Sequence, residues 1–390
     1  MSGMTSPGRL VAAVMAGYMA LYWSQVAVRT LTKPEVEYPE PFTLVDGVRE
    51  LRDGRLVVVD PRDKIVQLVD MKSGSAVKIG REGGGPGEYG LPQGALALPG
   101  DSTLVPDVLN RRSLVILPNG KPGGFLDMPP NEGSRGGMMM LGNLPRRADL
   151  KGGLYLSTPG FKMTEAGPQV SDSAAVLRWR PAEKRLDTLA KLALPKNNSQ
   201  VSGSAGRMNV RIGAANPFAA RDEFAVAPDG RVAVVRVADY HVEWVLPNGQ
   251  HVTGAPIRYD RLKLSEAHKQ EWRESRKNQF GLMMENVNGR MSATMAPVPK
   301  DVPDPGDWPE YLPPFTADAA VAAPDGRLWV RRTGPAGAPT TYDVIDANGK
   351  LAEKVVLPKR TRLVGFGSRA VYLVRTDEDD LQYLGRYVVK

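Results

Sequence analysis

The sequence predicts an all-β fold: a six-bladed β-propeller with one N-terminal transmembrane helix and a helix-containing loop insertion. Three observations lead there. A four-strand unit recurs with Asp-Gly and Asn-Gly turns, an uncharged run lies near the N terminus, and one inter-unit connection far exceeds the others in length. The 41 glycines and 33 prolines are scattered as turn punctuation, which predicts many short strands and no low-complexity tract.

Positions 1–9 form a short tail. Positions 10–28 follow as 19 residues without a charge, bounded by Arg9 and Arg29. As a helix at about 1.5 Å per residue this run spans roughly 28 Å, the hydrocarbon thickness of a bilayer. Leu10, Val14, Tyr18, Leu21, Tyr22 and Trp23 are the anchor residues, the aromatic rings lying toward the end where they favour the headgroup interface. A cleaved signal peptide is the alternative, but cuts after Ala27 or Ala20 place Gln25 or Tyr18 where a small residue is wanted. A nine-residue tail left inside sends the body out. The expected location is the cytoplasmic (inner) membrane, single-pass, with the propeller in the periplasm; signal cleavage would instead release it there. Positions 29–42, with Pro34, Pro39 and Pro41, read as an extended linker.

From 43 to 390 the repeat takes over. Asp53-Gly54 leads into Arg55-Leu56-Val57-Val58-Val59, Asp229-Gly230 into Arg231-Val232-Ala233-Val234-Val235, and Asp325-Gly326 into Arg327-Leu328-Trp329-Val330. Such dipeptides supply the positive φ that two-residue hairpins require. Val226-Ala227-Pro228-Asp229-Gly230-Arg231 returns as Ala322-Ala323-Pro324-Asp325-Gly326-Arg327, 96 residues later, and Asp60-Pro61-Arg62-Asp63 is matched by Asp107-Val108-Leu109-Asn110, 47 residues on. Periods of about 40–50 residues built from four strands mark propeller blades, which cover one another's apolar faces. The six units fall at 48–80, 91–128, 138–194, 221–257, 319–357 and 363–389. The last has three strands, and a strand near 42–44 would complete it and close the ring, removing exposed sheet edges.

The stretch Gly80-Arg81-Glu82-Gly83-Gly84-Gly85-Pro86-Gly87-Glu88-Tyr89, with Leu91-Pro92 and Asp107-Val108-Leu109-Asn110-Arg111 after it, resembles the bacterial six-bladed propellers related to NHL-repeat proteins. The strand Tyr240-His241-Val242-Glu243-Trp244-Val245 and the ending Thr376-Asp377-Glu378-Asp379 with Tyr387 are similar to that family too. The resemblance implies the fold over most of 43–390 and assigns no activity. The third unit departs from it in a long irregular stretch at 160–173.

Few residues invite chemistry. The chain has no cysteine and three histidines, His241, His251 and His268, so thiolate metal sites, lipid attachment through cysteine and multi-histidine centres are out of reach. The formal charge of +8 comes from basic residues interleaved with acids, which argues against nucleic acid as a partner. The glycine-rich loop lacks the Gly-Lys-Ser/Thr of a phosphate loop and reads as an inter-blade turn. Asp60, Asp63, Asp107 and Asn110 could hold calcium, but their equivalent repeat positions favour hydrogen bonding to turn backbone. His241 reads as an ordinary strand residue and His268 as solvated. No catalytic residue, metal ligand or cofactor is assigned.

The insertion 258–315 is the remaining feature. Ser265 is a candidate N-cap for a helix with Glu266 in its first turn, and 258–300 holds nine Lys/Arg against five Asp/Glu. Trp272, Met283, Met284, Trp308, Tyr311 and Phe315 make a candidate protein-binding surface, or else an arm folded over one end of the channel; Met138, Met139 and Met140 would add to it. The sequence therefore reads as a non-catalytic, membrane-anchored binding or scaffold propeller. It would be an accessory subunit with protein partners in an integral membrane complex, respiratory or photosynthetic. The alternative is a channel-site enzyme, a calcium-dependent hydrolase or lactonase or a quinone-linked dehydrogenase.

Overall fold

Strands at the centre of each unit are apolar at consecutive positions, and the structure shows why. Side chains alternate between the two faces of a strand. In a computed structural model, which describes residues 26–129, 144–158, 161–164, 167–195, 200–204, 207–211, 216–277, 280–287, 290–297 and 304–389, both faces of these strands are covered. Leu56 and Val58 pack with Tyr372, Val374 and Leu384, whereas Val57 and Val59 pack with Val105, Leu114 and Ile116. Val232 and Val234 join Tyr155, Val176 and Leu192; Ala233 and Val235 join Leu328 and Val330.

These neighbours belong to successive four-stranded antiparallel sheets. The first is Gly47–Glu50, Leu56–Asp60, Ile65–Asp70 and Ser75–Lys78. The second is Leu96–Ala97, Thr103–Asp107, Arg112–Ile116 and Pro122–Asp127. The third is Arg147–Ala148, Leu154–Ser157, Ser173–Arg180 and Arg185–Ala193, and the fourth is Glu223–Val226, Val232–Arg236, His241–Val245 and His251–Thr253. The fifth is Ala320–Ala322, Leu328–Arg331, Thr341–Ile345 and Leu351–Val356; the sixth contains Thr361–Gly367, Ala370–Thr376 and Gln382–Val388. The first strand of blade 1 approaches those of blades 2 and 6, and the first strands of blades 3, 4 and 5 approach one another in order, which places them around the axis. Among the described residues, each of the six blade-to-blade interfaces has its own apolar cluster, including the one joining blade 6 to blade 1. The fold is a six-bladed β-propeller.

Closure differs in detail from the expected strand at 42–44. The fourth strand of blade 6 is Val36–Glu37, antiparallel to Gln382–Val388, and Phe42 adds an isolated bridge to Gln382. Glu35 and Glu37 pair with Arg386 and Arg375. The segment read as an extended linker is thus laid on the body. Ala27–Thr30 pairs in parallel with Leu351–Val356 as a fifth strand of blade 5, with Arg29 3.0 Å from Glu353. The anchor residues Leu10, Val14, Tyr18, Leu21, Tyr22 and Trp23, and Met138–140, lie outside the described residues. Among those described, no helix is long and apolar enough to cross a membrane.

Turn chemistry follows the repeat. Asp53 Oδ1 accepts from Arg55 N at 3.0 Å while Arg55 Nε donates to Asp53 Oδ2 at 2.8 Å, and Asp229 with Arg231 and Asp325 with Arg327 repeat the arrangement. Asp60 accepts from the backbone N–H of Thr43, Leu44, Arg62 and Asp63, and Asp107 from those of Gly90, Leu91 and Asn110. Each carboxylate ties a turn to the incoming inter-blade connection. Gly80 has φ of 68°, and a Cβ there would lie 2.2 Å from Gly87 O, so the glycine-rich loop is a tight connection.

Phe42 is 5% exposed, 5.6 Å from the Tyr38 ring and packed in the cluster that joins blades 6 and 1. Phe42→Ala should destabilise the propeller by about 3–5 kcal/mol, read from urea unfolding. A loss below about 1 kcal/mol would mean that the ring closes without the N-terminal segment.

Candidate functional site

Because each chain segment enters a blade at the axis and leaves at the rim, the turns after strands one and three share one end of the ring. The turns after strand two and the inter-blade links share the other. The first end holds tight turns, with glycines at positive φ at 54, 120, 230, 249, 326 and 349. The second end holds everything long: the loop 79–95, the hairpin Phe161–Thr164 with Gly167–Val170, the hairpin Gln200–Ser204 with Arg207–Arg211, and the insertion. Propellers act through such an end, since rigid strands present variable loops there.

The insertion contains the helix Glu266–Lys277 and the hairpin Phe280–Val287 with Arg290–Pro297. The helix starts directly after Ser265, whose hydroxyl meets the His268 ring, and His268 is bound rather than solvated. Its Nδ1 is 2.7 Å from Ser265 Oγ, and its Nε2 is 3.2 Å from Gly334 O, pinning the helix to blade 5. The hairpin leans over the ring. Phe280 lies under Arg62 of blade 1, 4.1 Å from ring centre to guanidinium, and Met295 packs with Leu91, Val108 and Leu144. The arm therefore covers its own propeller.

This placement redistributes the expected binding surface. Phe315 is fully buried against Tyr240, 5.7 Å between rings, and is a core residue of the interface between blades 4 and 5. Trp272 and Trp308 meet edge to face at 5.3 Å, Trp308 also lies 6.0 Å from Phe218, and Arg261 sits over Tyr311 at 4.4 Å. These rings hold the insertion together. Met283 and Met284 pair with Thr294 and Ala293 in the hairpin. His241 is half-buried between Asp239 (2.6 Å) and Glu243 (3.3 Å).

At the axis, where the inner strands begin on the long-loop end, charges converge that the sequence reading missed. Glu223 heads the inner strand of blade 4 and is 8% exposed. Burial, reinforced by the charge of Asp318 and opposed by Arg221 and Arg147, pushes its pKa up to about 7. Arg221 Nε is 3.1 Å from Glu223 Oε1, without the alignment of a hydrogen bond. Arg147, from the inner strand of blade 3, donates to Ala320 O at 3.2 Å and to Arg146 O at 2.8 Å, and burial lowers its pKa. The Nε–H groups of Arg147 and Arg221 are both buried without an acceptor among the described residues. Asp318 sits beside Arg146 at 3.6 Å with a left-handed φ of 56°.

The repeat changes toward this end of the ring, at positions that bond elsewhere than to Glu223. The second strands of blades 1 and 2 end in Asp60 and Asp107, whereas those of blades 4 and 5 end in Arg236 and Arg331. Carboxylates that tie turns in the first half give way to cations in the second.

Calcium does not fit here. It takes six to eight oxygen ligands, the axis end brings Arg146, Arg147 and Arg221 beside two carboxylates, and no group of three or more His, Asp or Glu among the described residues could hold a metal. A quinone-linked site would want a histidine base, and none of the three histidines lies on an inner strand.

No protein-family model matches the chain, and no curated protein matches it in sequence. Solved structures match over nearly the whole length. The calcium-binding protein regucalcin from Agrobacterium tumefaciens is 11% identical, with 93% of this chain and 97% of that chain covered and a TM-score of 0.41. A gluconolactonase from Xanthomonas campestris is 12% identical, with 93% and 97% covered and a TM-score of 0.43. Virginiamycin B lyase from Staphylococcus aureus is 10% identical, with 89% and 96% covered and a TM-score of 0.38. The expectation of a non-catalytic scaffold is corrected by this finding: proteins named as a gluconolactonase and a lyase stand among these similar structures.

Glu223 makes a stability prediction. Its folded pKa of about 7 lies above the ordinary 4.5, so the folded state holds the extra proton, and stability falls as pH rises through that window. Glu223→Gln, which mimics the protonated form, should match the parent near pH 4 and exceed its stability near pH 8 by up to about 3 kcal/mol. Equal unfolding midpoints at both pH values would refute the assignment.

Proposed function

We propose that the protein is a hydrolase of small cyclic or linear esters, lactones foremost, acting at the axis on the long-loop face. One observation carries this reading. A buried carboxylate whose pKa is pushed up to about 7 lies beside two guanidinium N–H groups that have no acceptor among the described residues. A general base works best with a pKa near the operating pH, and unspent donors in a water-poor site stabilise a developing oxyanion.

In the reaction, ionised Glu223 takes a proton from water as the oxygen attacks the acyl carbon. Negative charge gathers on the carbonyl oxygen, where Arg147 and Arg221 donate. Collapse breaks the bond to the ring or alcohol oxygen, and protonated Glu223 returns its proton to that oxygen. A lactone thereby becomes a hydroxy acid, with no oxidant or reductant needed. The hairpin arm limits access to this end of the ring.

The finer kinship with NHL-repeat propellers, supported by the loop 80–89, belongs to the same proposal. So does a membrane tether through 10–28 with the body in the periplasm, which rests on the uncharged 19-residue run.

Purified protein assayed on five- and six-membered lactones and on aryl esters should give kcat/KM rising with pH through an apparent pKa of about 7. Glu223→Gln should lose at least about 100-fold. A variant as active as the parent, or a flat pH profile, would sink the reading. For the tether, the full chain should resist an alkaline carbonate wash of membranes, and a chain lacking 1–25 should be washed free. Full-length protein in the supernatant would reject it.

A further inference from the structure

Away from the axis, a cavity of about 1020 Å3 opens between the helix Glu266–Lys277 and the blade 5 segment 331–341. Asp343, on the third strand of blade 5, lines it and has no exposed surface. Its Oδ2 accepts from Tyr240 Oη at 2.8 Å and from Arg332 Nη1 at 2.9 Å. Its Oδ1 is buried and has no partner among the described residues. Leaving a buried acceptor unmet costs its full desolvation, and more so for a charged one.

Among the described residues, the neighbouring donors are held elsewhere. Tyr240 is fixed by Tyr259 edge-on at 5.9 Å and by Arg332 over its face at 4.5 Å. Arg332 also donates from Nε to Pro314 O at 2.7 Å. Burial pushes the Tyr240 pKa well above 10.0, so its hydroxyl stays a donor committed to Oδ2. The helix that closes the cavity is pinned to Gly334 through His268 and to Gly337 N through Glu271 at 3.2 Å, so the space is preformed.

The lining defines the missing partner. Five arginines and lysines line the cavity against three acids, one of them Asp343 itself, so the ligand carries negative charge. Arg258 and Arg261 stand exposed where the insertion begins. Trp272 and Tyr259 offer apolar ring surface for a carbon skeleton. The volume matches that of small-molecule sites, about 300–1000 Å3. We propose that this cavity binds a small hydroxylated organic anion, its hydroxyl donating to Asp343 Oδ1 and its carboxylate or phosphate facing Arg258 and Arg261.

Isothermal titration of the full chain in detergent tests this with gluconate and glycerol 3-phosphate as probes, against hexanoate, which lacks hydroxyls, and sorbitol, which lacks charge. The hydroxylated anions should bind at least about ten-fold more tightly than either control, the worth of one hydrogen bond to a charged group. Asp343→Asn should weaken gluconate by about ten-fold or more. Should that variant fail to fold, the surface change Arg258→Gln with Arg261→Gln should weaken both anions at least five-fold and leave sorbitol unchanged. Hexanoate binding as well as gluconate overturns the proposal, and so does an absence of binding by every probe, which would assign Oδ1 to a water. Glu223→Gln should leave these affinities intact, so failure of the hydrolase reading and failure of this one are separate results.

Discussion

The structure depends on blades whose two faces are both apolar. A sheet such as blade 1, with Leu56 and Val58 on one side and Val57 and Val59 on the other, has no face to offer water. Only neighbours on both sides satisfy it, and only a closed ring gives every blade two neighbours. The six clusters are therefore interdependent, and the residues at each interface are chosen for volume. Trp244 and Trp329 are 0% and 2% exposed, and each fills a gap between adjacent blades.

That demand leaves little of the chain free for chemistry. Strand interiors are committed to packing, one end of the ring to Asp-Gly-Arg and Asn-Gly turns, and the outer edges to solvent or to the N-terminal strand. Function is pressed onto the end where inner strands begin and long links gather. Two polar constellations lie on that end. Around Glu223 the cost of burying a charge outweighs the two guanidinium groups beside it. Around Asp343, Arg332 and Tyr240 both bond the carboxylate directly.

Much of this was legible beforehand. Short β runs between Asp-Gly and Asn-Gly turns and the 96-residue recurrence gave the blade number and nearly all blade limits. The turn roles of Asp60 and Asp107 followed from their equivalence. Closure was read in principle, yet the strand lies six residues earlier, because Val36–Glu37 carries no strong strand pattern. The sites were not legible for a different reason. Glu223, Arg147 and Asp318 are distant in sequence and meet only because three inner strands share an axis. Asp343 is a single residue on an ordinary strand, and Arg332 lies just past the end of another. Phe315 was misread because an aromatic residue in a proline-rich arm looks exposed until the arm is seen to turn back into the core.

The sixth blade is built from both extremities of the sequence, with Glu35 joined to Arg386, 351 positions away. During synthesis at about 5–20 residues per second, the strand Val36–Glu37 waits roughly 20–70 s for its partner to leave the ribosome. Over that interval blade 1 can mature beside blade 2 while its other flank stays wet. Assembly is vectorial until the last moment, and long-range pairings of this kind are slow to form. The nascent chain thus has one vulnerable side, and a chaperone that covered it would act on blade 1 and release it only when the C terminus arrives.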